Sequence, residues 1–171
     1  MGGHTGHYVI MGVAGSGKSV IGEQLARALD VPFVEGDDLH SSANKRRMAA
    51  GIPLTDDDRH GWLLAIAARL REAQRTGTGL VATCSALKRG YRDLLRSAGA
   101  ADAQFVYLAG PRDLIAERLA QRQGHFMPLS LLESQFTTLE EPAPDESAWK
   151  IDISATPPAI IADLVHRAGA R

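Results

Sequence analysis

Lys18 and Ser19 close a glycine-rich run, Gly12-Val13-Ala14-Gly15-Ser16-Gly17, and together these residues fit the pattern G-x-x-x-x-G-K-[ST] without a mismatch. The chemistry this spacing serves is phosphate binding. Glycines let backbone N–H groups turn toward one anion, where a Cβ would obstruct the approach. A helix beginning at the end of the run adds its free N–H groups and its dipole. Lys18 then reaches β- and γ-phosphates, and the Ser19 hydroxyl is the expected ligand for Mg²⁺. A plain glycine turn opening an ordinary helix does not explain a Lys-Ser pair at this offset.

The elements around the run fit that use. Tyr8-Val9-Ile10-Met11 is an apolar strand-type run, and Val20, Ile21, Leu25, Ala28 and Leu29 recur at helical spacing after Ser19. Further strands are expected at 31–35, 80–84, 104–108 and 149–153. Helices are expected at 42–50, from a Thr55–Asp58 capping box to about 76, at 88–98, from Pro111 to about 123, at 129–139 and at 158–168. The alternation predicts an α/β fold of the P-loop NTPase type, a five-stranded parallel sheet with helices on both faces. The run 80–84 carries no charge and reads as a strand buried on both faces. Ligands of such sheets bind beyond the carboxyl ends of the strands. The candidates for chemistry are therefore 12–19, 37–38, 85–92 and 110–112.

Composition narrows the partners. The 171 residues suit one domain, 1–171, and the net charge of −1 argues against a nucleic-acid or membrane surface. The only cysteine, Cys84, excludes an internal disulfide, suits a reducing cytoplasm and reads as a small core residue. No apolar run reaches membrane-spanning length, and residues 1–7 read as a short flexible lead-in without a signal-peptide core.

Asp37 follows the second strand and is expected at the rim of the phosphate loop. There its carboxylate would orient an acceptor hydroxyl or take its proton; the competing use, an N-cap, suits Asp38. Arg118 and Arg122 lie four apart on one expected helix, just before Gln123-Gly124-His125-Phe126. A pair of arginines beside a hinge-like glycine would neutralise a transferring phosphoryl group. Lys88 and Arg92 share a face at the start of another helix, where cations are unfavourable unless an anion is near. Lys45-Arg46-Arg47 reads as solvated surface and Asp56-Asp57-Asp58 as a helix start; Trp62 and Trp149 read as core anchors. His40, His60 and His125 lack metal-ligand spacing.

Beyond the phosphate loop, several stretches carry a resemblance. They are Glu35-Gly36-Asp37-Asp38-Leu39-His40, Asn44-Lys45, Met48 and Gly51-Ile52-Pro53-Leu54-Thr55-Asp56-Asp57-Asp58-Arg59 with Trp62-Leu63. Cys84-Ser85-Ala86-Leu87-Lys88-Arg89-Gly90-Tyr91-Arg92-Asp93, Gly124-His125-Phe126, Gln135-Phe136 and Leu139-Glu140-Glu141-Pro142 complete the set. Together they resemble the small gluconate kinases, whose fold is similar to that of shikimate and nucleoside monophosphate kinases. The family often has Asp-Gly-Asp where this chain reads Glu35-Gly36-Asp37, and commonly Pro at the position of Gly61. The resemblance implies ATP- and Mg²⁺-dependent phosphorylation of D-gluconate to 6-phosphogluconate and a homodimer. It also implies a small helical lid at about 118–139 and an acceptor-binding segment at about 38–60 that includes His40. The acceptor carboxylate needs a cation, and Arg59, Lys88 and Arg92 are the unranked candidates. The turn 154–158 is the expected neighbour of the adenine. Two other readings stay open at this point: the same fold acting on another small acceptor such as shikimate, and a nucleotide-dependent binding module.

Overall fold

Alternate residues of a strand face opposite ways, so a strand with no polar side must be covered twice. The computed structural model, which describes residues 3–122 and 129–169, meets this demand with one parallel sheet. Its strands are β1 (His7–Met11), β2 (Phe33–Val34), β3 (Leu80–Thr83), β4 (Gln104–Ala109) and β5 (Trp149–Asp152), in the order β2-β3-β1-β4-β5. Val9 pairs with Ala82 on one side and Phe105 on the other, so β1 is central and the phosphate loop leaves the middle of the sheet. The crossovers run through α1 (Lys18–Leu29), α2 (Ser42–Ala49), α3 (Asp56–Thr76), α4 (Arg89–Ala98), α5 (Arg112–Gln121) and α6 (Leu129–Thr138), and α7 (Pro157–Gly169) follows the last strand.

Two cores result. Ile10, Val81, Val106 and Ile151 face Ile21 and Leu25 of α1 and Ile160 and Leu164 of α7. Val9, Met11, Ala82 and Phe105 face Trp62, Leu63, Ile66 and Leu70 of α3 and Leu95 of α4. Each such side chain contributes about 1.5–3 kcal/mol by leaving water. β3 is buried along its whole length, as its apolar run requires. No helix among the described residues is long and apolar enough to cross a membrane.

Local chemistry sets the boundaries. The Thr55 hydroxyl accepts the Asp58 N–H at 3.1 Å, and the Asp58 carboxylate accepts the Thr55 N–H at 2.9 Å, a reciprocal cap for α3. β2 is shorter than its apolar run suggested. The Val31 N–H is spent on the carbonyl of Ala26 at 3.0 Å, and Gly36–Leu39 winds into a 3-10 turn. Pro111 has extended backbone and precedes α5 rather than starting it. The N-terminal stretch is tied down where it was expected to be loose. The carbonyls of His4 and Gly6 accept the N–H groups of Gly79 and Leu80, each at 3.1 Å.

Candidate active site

The phosphate loop turns between β1 and α1 on glycines at positive φ: Gly12 at 147°, Gly15 at 82° and Gly17 at 97°. Gly15 is also sterically fixed, because a Cβ there would lie 2.6 Å from Leu119 Cγ. At Gly17 a Cβ would project into open space, so its glycine serves the left-handed backbone that starts α1. No side chain caps α1 and no acid occupies its first turn. Its leading N–H groups and dipole are left for an anion. Lys18 Nζ folds onto the carbonyl of Val13 at 3.0 Å. Burial lowers the Lys18 pKa from its ordinary value; Asp37 and Glu35 oppose that shift, and Arg122 adds to it.

Glu35 joins the loop to the sheet. Its carboxylate accepts hydrogen bonds from the hydroxyls of Ser19 and Thr83. The next residue is equally constrained. Gly36 donates its N–H to Thr83 Oγ1 at 2.9 Å, its carbonyl accepts Trp62 Nε1–H at 2.8 Å, and a Cβ on it would fall 1.9 Å from the carbonyl oxygen of Thr83. The Ser19 hydroxyl, donating to Glu35, keeps its lone pairs for a cation. With the Glu35 carboxylate it makes a hard-oxygen pair of the kind Mg²⁺ takes alongside substrate phosphates. Groups of three or more metal-ligating side chains are absent among the described residues, so the protein supplies no closed cage.

A cleft opens beside the loop. Its walls include Ala14 and Lys18 from the loop, Asp37 from the 3-10 turn and His40 just after it, Arg59 and Trp62 from α3, Ser85 beyond β3, and Ser134 and Gln135 from α6. The structure therefore brings Lys18, Asp37, His40 and Arg59 to one cavity, although 41 positions separate the first from the last. His40 stacks on Trp62, with ring centroids 4.0 Å apart at 15°. Trp62 is thus a core anchor that also holds a site residue. Asn44 Nδ2 donates to the carbonyl of Asp58 at 2.7 Å, which fixes its amide. Its contact with His40 Nδ1 at 3.4 Å then makes that nitrogen the acceptor and leaves the proton on Nε2. Burial, aided by Arg59 and Lys45, pushes the His40 pKa down to about 4, so it is neutral at physiological pH. Arg59 Nη1 donates to the Tyr91 hydroxyl at 2.9 Å, and that hydroxyl donates to Asp56.

Other expected residues lie elsewhere. Lys88 is the residue before α4 and pairs with Asp56 at 3.0 Å. The anion that its position called for is thus an internal carboxylate rather than a ligand. Arg92 does not face the cleft. It is fully buried, with Nε and Nη2 on Glu146 at 2.7 and 3.0 Å and Nη1 on the carbonyl of Ala86 at 2.8 Å. The two do not share a helix face: Lys88 has extended backbone ahead of α4 and stays partly exposed beside Asp56, while Arg92, within the helix, packs inward. Arg118 and Arg122 do not share one. α5 ends at Gln121, and Arg122 has extended backbone at φ −73° and ψ 124°. Arg118 Nη2 donates to the carbonyl of Ile153 at 2.8 Å, at the end of β5. The expected hinge at Gln123-Gly124-His125-Phe126 lies outside the described residues. Cys84 is buried, and burial raises its thiol pKa to about 12, so it is a core residue.

Sequence reasoning on residue types passed over Glu35, Thr83, Tyr91 and Gln135. For Glu35 the signal was available: it is an acid at the end of a strand, two residues before Asp37, at a position the resemblance marks as often Asp. For the other three, nothing local distinguishes them.

Comparison with known proteins identifies the fold and the family. A family model described as an AAA domain matches residues 8–142. The thermoresistant gluconokinase of Escherichia coli K12 is 43% identical over 165 residues, covering 95% of this chain and 94% of its own length. The gluconokinase of Gluconobacter oxydans 621H is 44% identical over 158 residues, covering 92% of this chain and 88% of its own. The crystal structure of a gluconokinase from Sinorhizobium meliloti 1021 superposes with a TM-score of 0.88 at 44% identity, covering 98% of this chain and 93% of that one. A five-stranded parallel sheet, a phosphate loop and nearly full-length identity above 40% lead to one conclusion: the chain belongs to the gluconokinase family.

Proposed function

We propose that the protein transfers the γ-phosphoryl group of ATP to the 6-hydroxyl of D-gluconate, giving 6-phospho-D-gluconate and ADP. The observation that carries this reading is the single cleft lined by Lys18, Asp37, His40 and Arg59. A phosphoryl acceptor with an acidic end needs a cation at one end and a carboxylate near the hydroxyl at the other. Of the three cations considered for the carboxylate, Arg59 alone lines this cleft. Asp37 orients the attacking hydroxyl and takes its proton, while Lys18 offsets charge on the β- and γ-phosphates. Residues 12–19 cradle the phosphates, and Ser19 with Glu35 holds Mg²⁺, which supplies further charge neutralisation when bound.

Arg122, whose charge is felt at Lys18, serves the transferring group, and Arg118, tied to Ile153, serves the nucleotide near the turn 154–158. α6 belongs to a lid of about 118–139, and residues 38–60 bind the acceptor. Lys88 acts on the acceptor only through Asp56, Tyr91 and Arg59. The setting is the cytoplasm, and the working form is a homodimer.

The test is ADP release from Mg²⁺-ATP with gluconate, shikimate, AMP or no acceptor, run beside Asp37→Asn. Gluconate alone should stimulate release, and Asp37→Asn should lose at least about 100-fold in kcat while still binding ATP. Equal release with and without gluconate would sink the kinase reading in favour of a nucleotide-dependent binding module.

A further inference from the structure

Gln135 makes a contact that none of the preceding chemistry uses. It sits on α6, and Leu131, Ser134 and Gln135 form the stripe of that helix that lines the cleft. Its Oε1 accepts the backbone N–H of Ala14, in the phosphate loop, at 2.6 Å across 121 residues of sequence. A backbone N–H can only donate, so this bond decides which way the amide lies. The carbonyl end is committed to the loop, and the Nε2 group, with its two hydrogens, is left over. Among the described residues Nε2 has no partner, and the side chain is half-buried in the cleft wall.

The rest of the cleft shows what such a group would meet. Lys18 and Arg59 supply positive charge and Asp37 negative charge. These suit the two ends of an acceptor, its carboxylate and its reacting hydroxyl. The hydroxyls between the ends need further donors and acceptors, and a neutral amide supplies one without adding charge to the cleft. A half-buried donor without a partner carries a cost that a ligand oxygen removes. We propose that Gln135 Nε2 donates to a backbone hydroxyl of a polyhydroxy carboxylate acceptor, making Gln135 a specificity-determining residue. The same amide, through Ala14, fixes that hydroxyl relative to the phosphate loop. This inference rests on the proposed kinase reading and names a contact within it.

Initial rates over both substrates test it, with wild type, Gln135→Ala, Gln135→Glu and a series of gluconates each lacking one hydroxyl. Gln135→Glu keeps an oxygen for the Ala14 N–H but removes both donors. The expected result is an increase of roughly tenfold in the KM for gluconate in both variants, with the KM for ATP within about twofold of wild type. One deoxygluconate should show the same loss with wild type and no further loss with the variants. The inference is overturned if Gln135→Glu keeps the wild-type KM for gluconate, or if only the KM for ATP moves, since Gln135 would then merely clamp α6 to the loop. A lower KM for ATP in Gln135→Ala also overturns it, because Gln135 would then be competing with phosphate for the Ala14 N–H. Wild-type turnover of gluconate tests the kinase reading separately; Gln135 is judged only on ratios of variant to wild type, with whichever polyhydroxy acid the wild type accepts.

Discussion

Glu146→Gln tests whether Arg92 is a structural cation or an acceptor ligand. The Arg92 and Glu146 side chains are 0% and 1% exposed, and the carboxylate also accepts Arg96 Nη2 at 3.2 Å and the Ala143 N–H at 2.9 Å. Arg92, first among these partners, holds the Glu146 pKa at about 2 against an ordinary 4.5. At 1.36 kcal/mol per pKa unit, that difference corresponds to about 3 kcal/mol. An independent route agrees: removing one partner of a buried ion pair costs about 3–5 kcal/mol, because the other charge is left uncompensated. For a chain of this length the loss should lower Tm by about 6–20 °C. The assay is thermal unfolding followed by circular dichroism, with kcat and KM measured at 25 °C on the folded variant. Both KM values should stay within about twofold of wild type, since neither residue lines the cleft. Replacing both partners, Arg92→Met with Glu146→Leu, should recover most of the stability, as apolar replacements of buried pairs do. The sign with pH follows: the stabilisation from Glu146 is complete above about pH 4.5 and is lost as pH falls toward 2. A Tm shift under about 2 °C, or a large rise in the KM for gluconate in a stable Glu146→Gln protein, would refute the reasoning and return Arg92 to the site.

Gly36→Ala should be among the most damaging single methyl additions in the chain, because its Cβ would sit 1.9 Å from a backbone oxygen. A loss of at least about 3 kcal/mol is expected in urea unfolding, and a wild-type midpoint would contradict the described turn. Tyr91→Phe removes the hydroxyl that accepts from Arg59 and donates to Asp56, so the KM for gluconate should rise about threefold to tenfold with the KM for ATP unchanged in steady-state rates. His40 is neutral in the fold down to about pH 4 but takes a proton near 6.5 when unfolded. Its contribution is therefore complete above about pH 6.5 and is lost as pH falls from there to about 4. His40→Gln should flatten the slope of Tm against pH in that window, and an unchanged slope would show that His40 is not buried neutral.

Much of the site was legible because it is local. The phosphate loop is eight consecutive residues whose glycines, lysine and serine carry their own conformational and chemical demands. The Thr55–Asp58 cap closes within one turn of helix, and strand-helix alternation prescribes a parallel sheet wherever it occurs. Asp37 was found by the same kind of rule, since it follows a strand whose end must lie at the sheet's rim. The cations were not legible in that way. Spacing of four predicts that Lys88 and Arg92 share a face, but not that α4 begins only at Arg89 or that the two side chains meet Asp56 and Glu146. Arg118 and Arg122 were read as one face of a helix that ends between them.

The sequence by itself determined the phosphate site, the α/β class and the family, because these are written in contiguous residues and periodic patterns. Tertiary structure alone decided which of three cations reaches the cleft, and that Glu35 binds Ser19. It also decided that Gln135 meets Ala14 across 121 residues. Those outcomes depend on strand order and on how helices pack over the sheet. Both are set by the burial of the whole chain at once, not by any stretch of it.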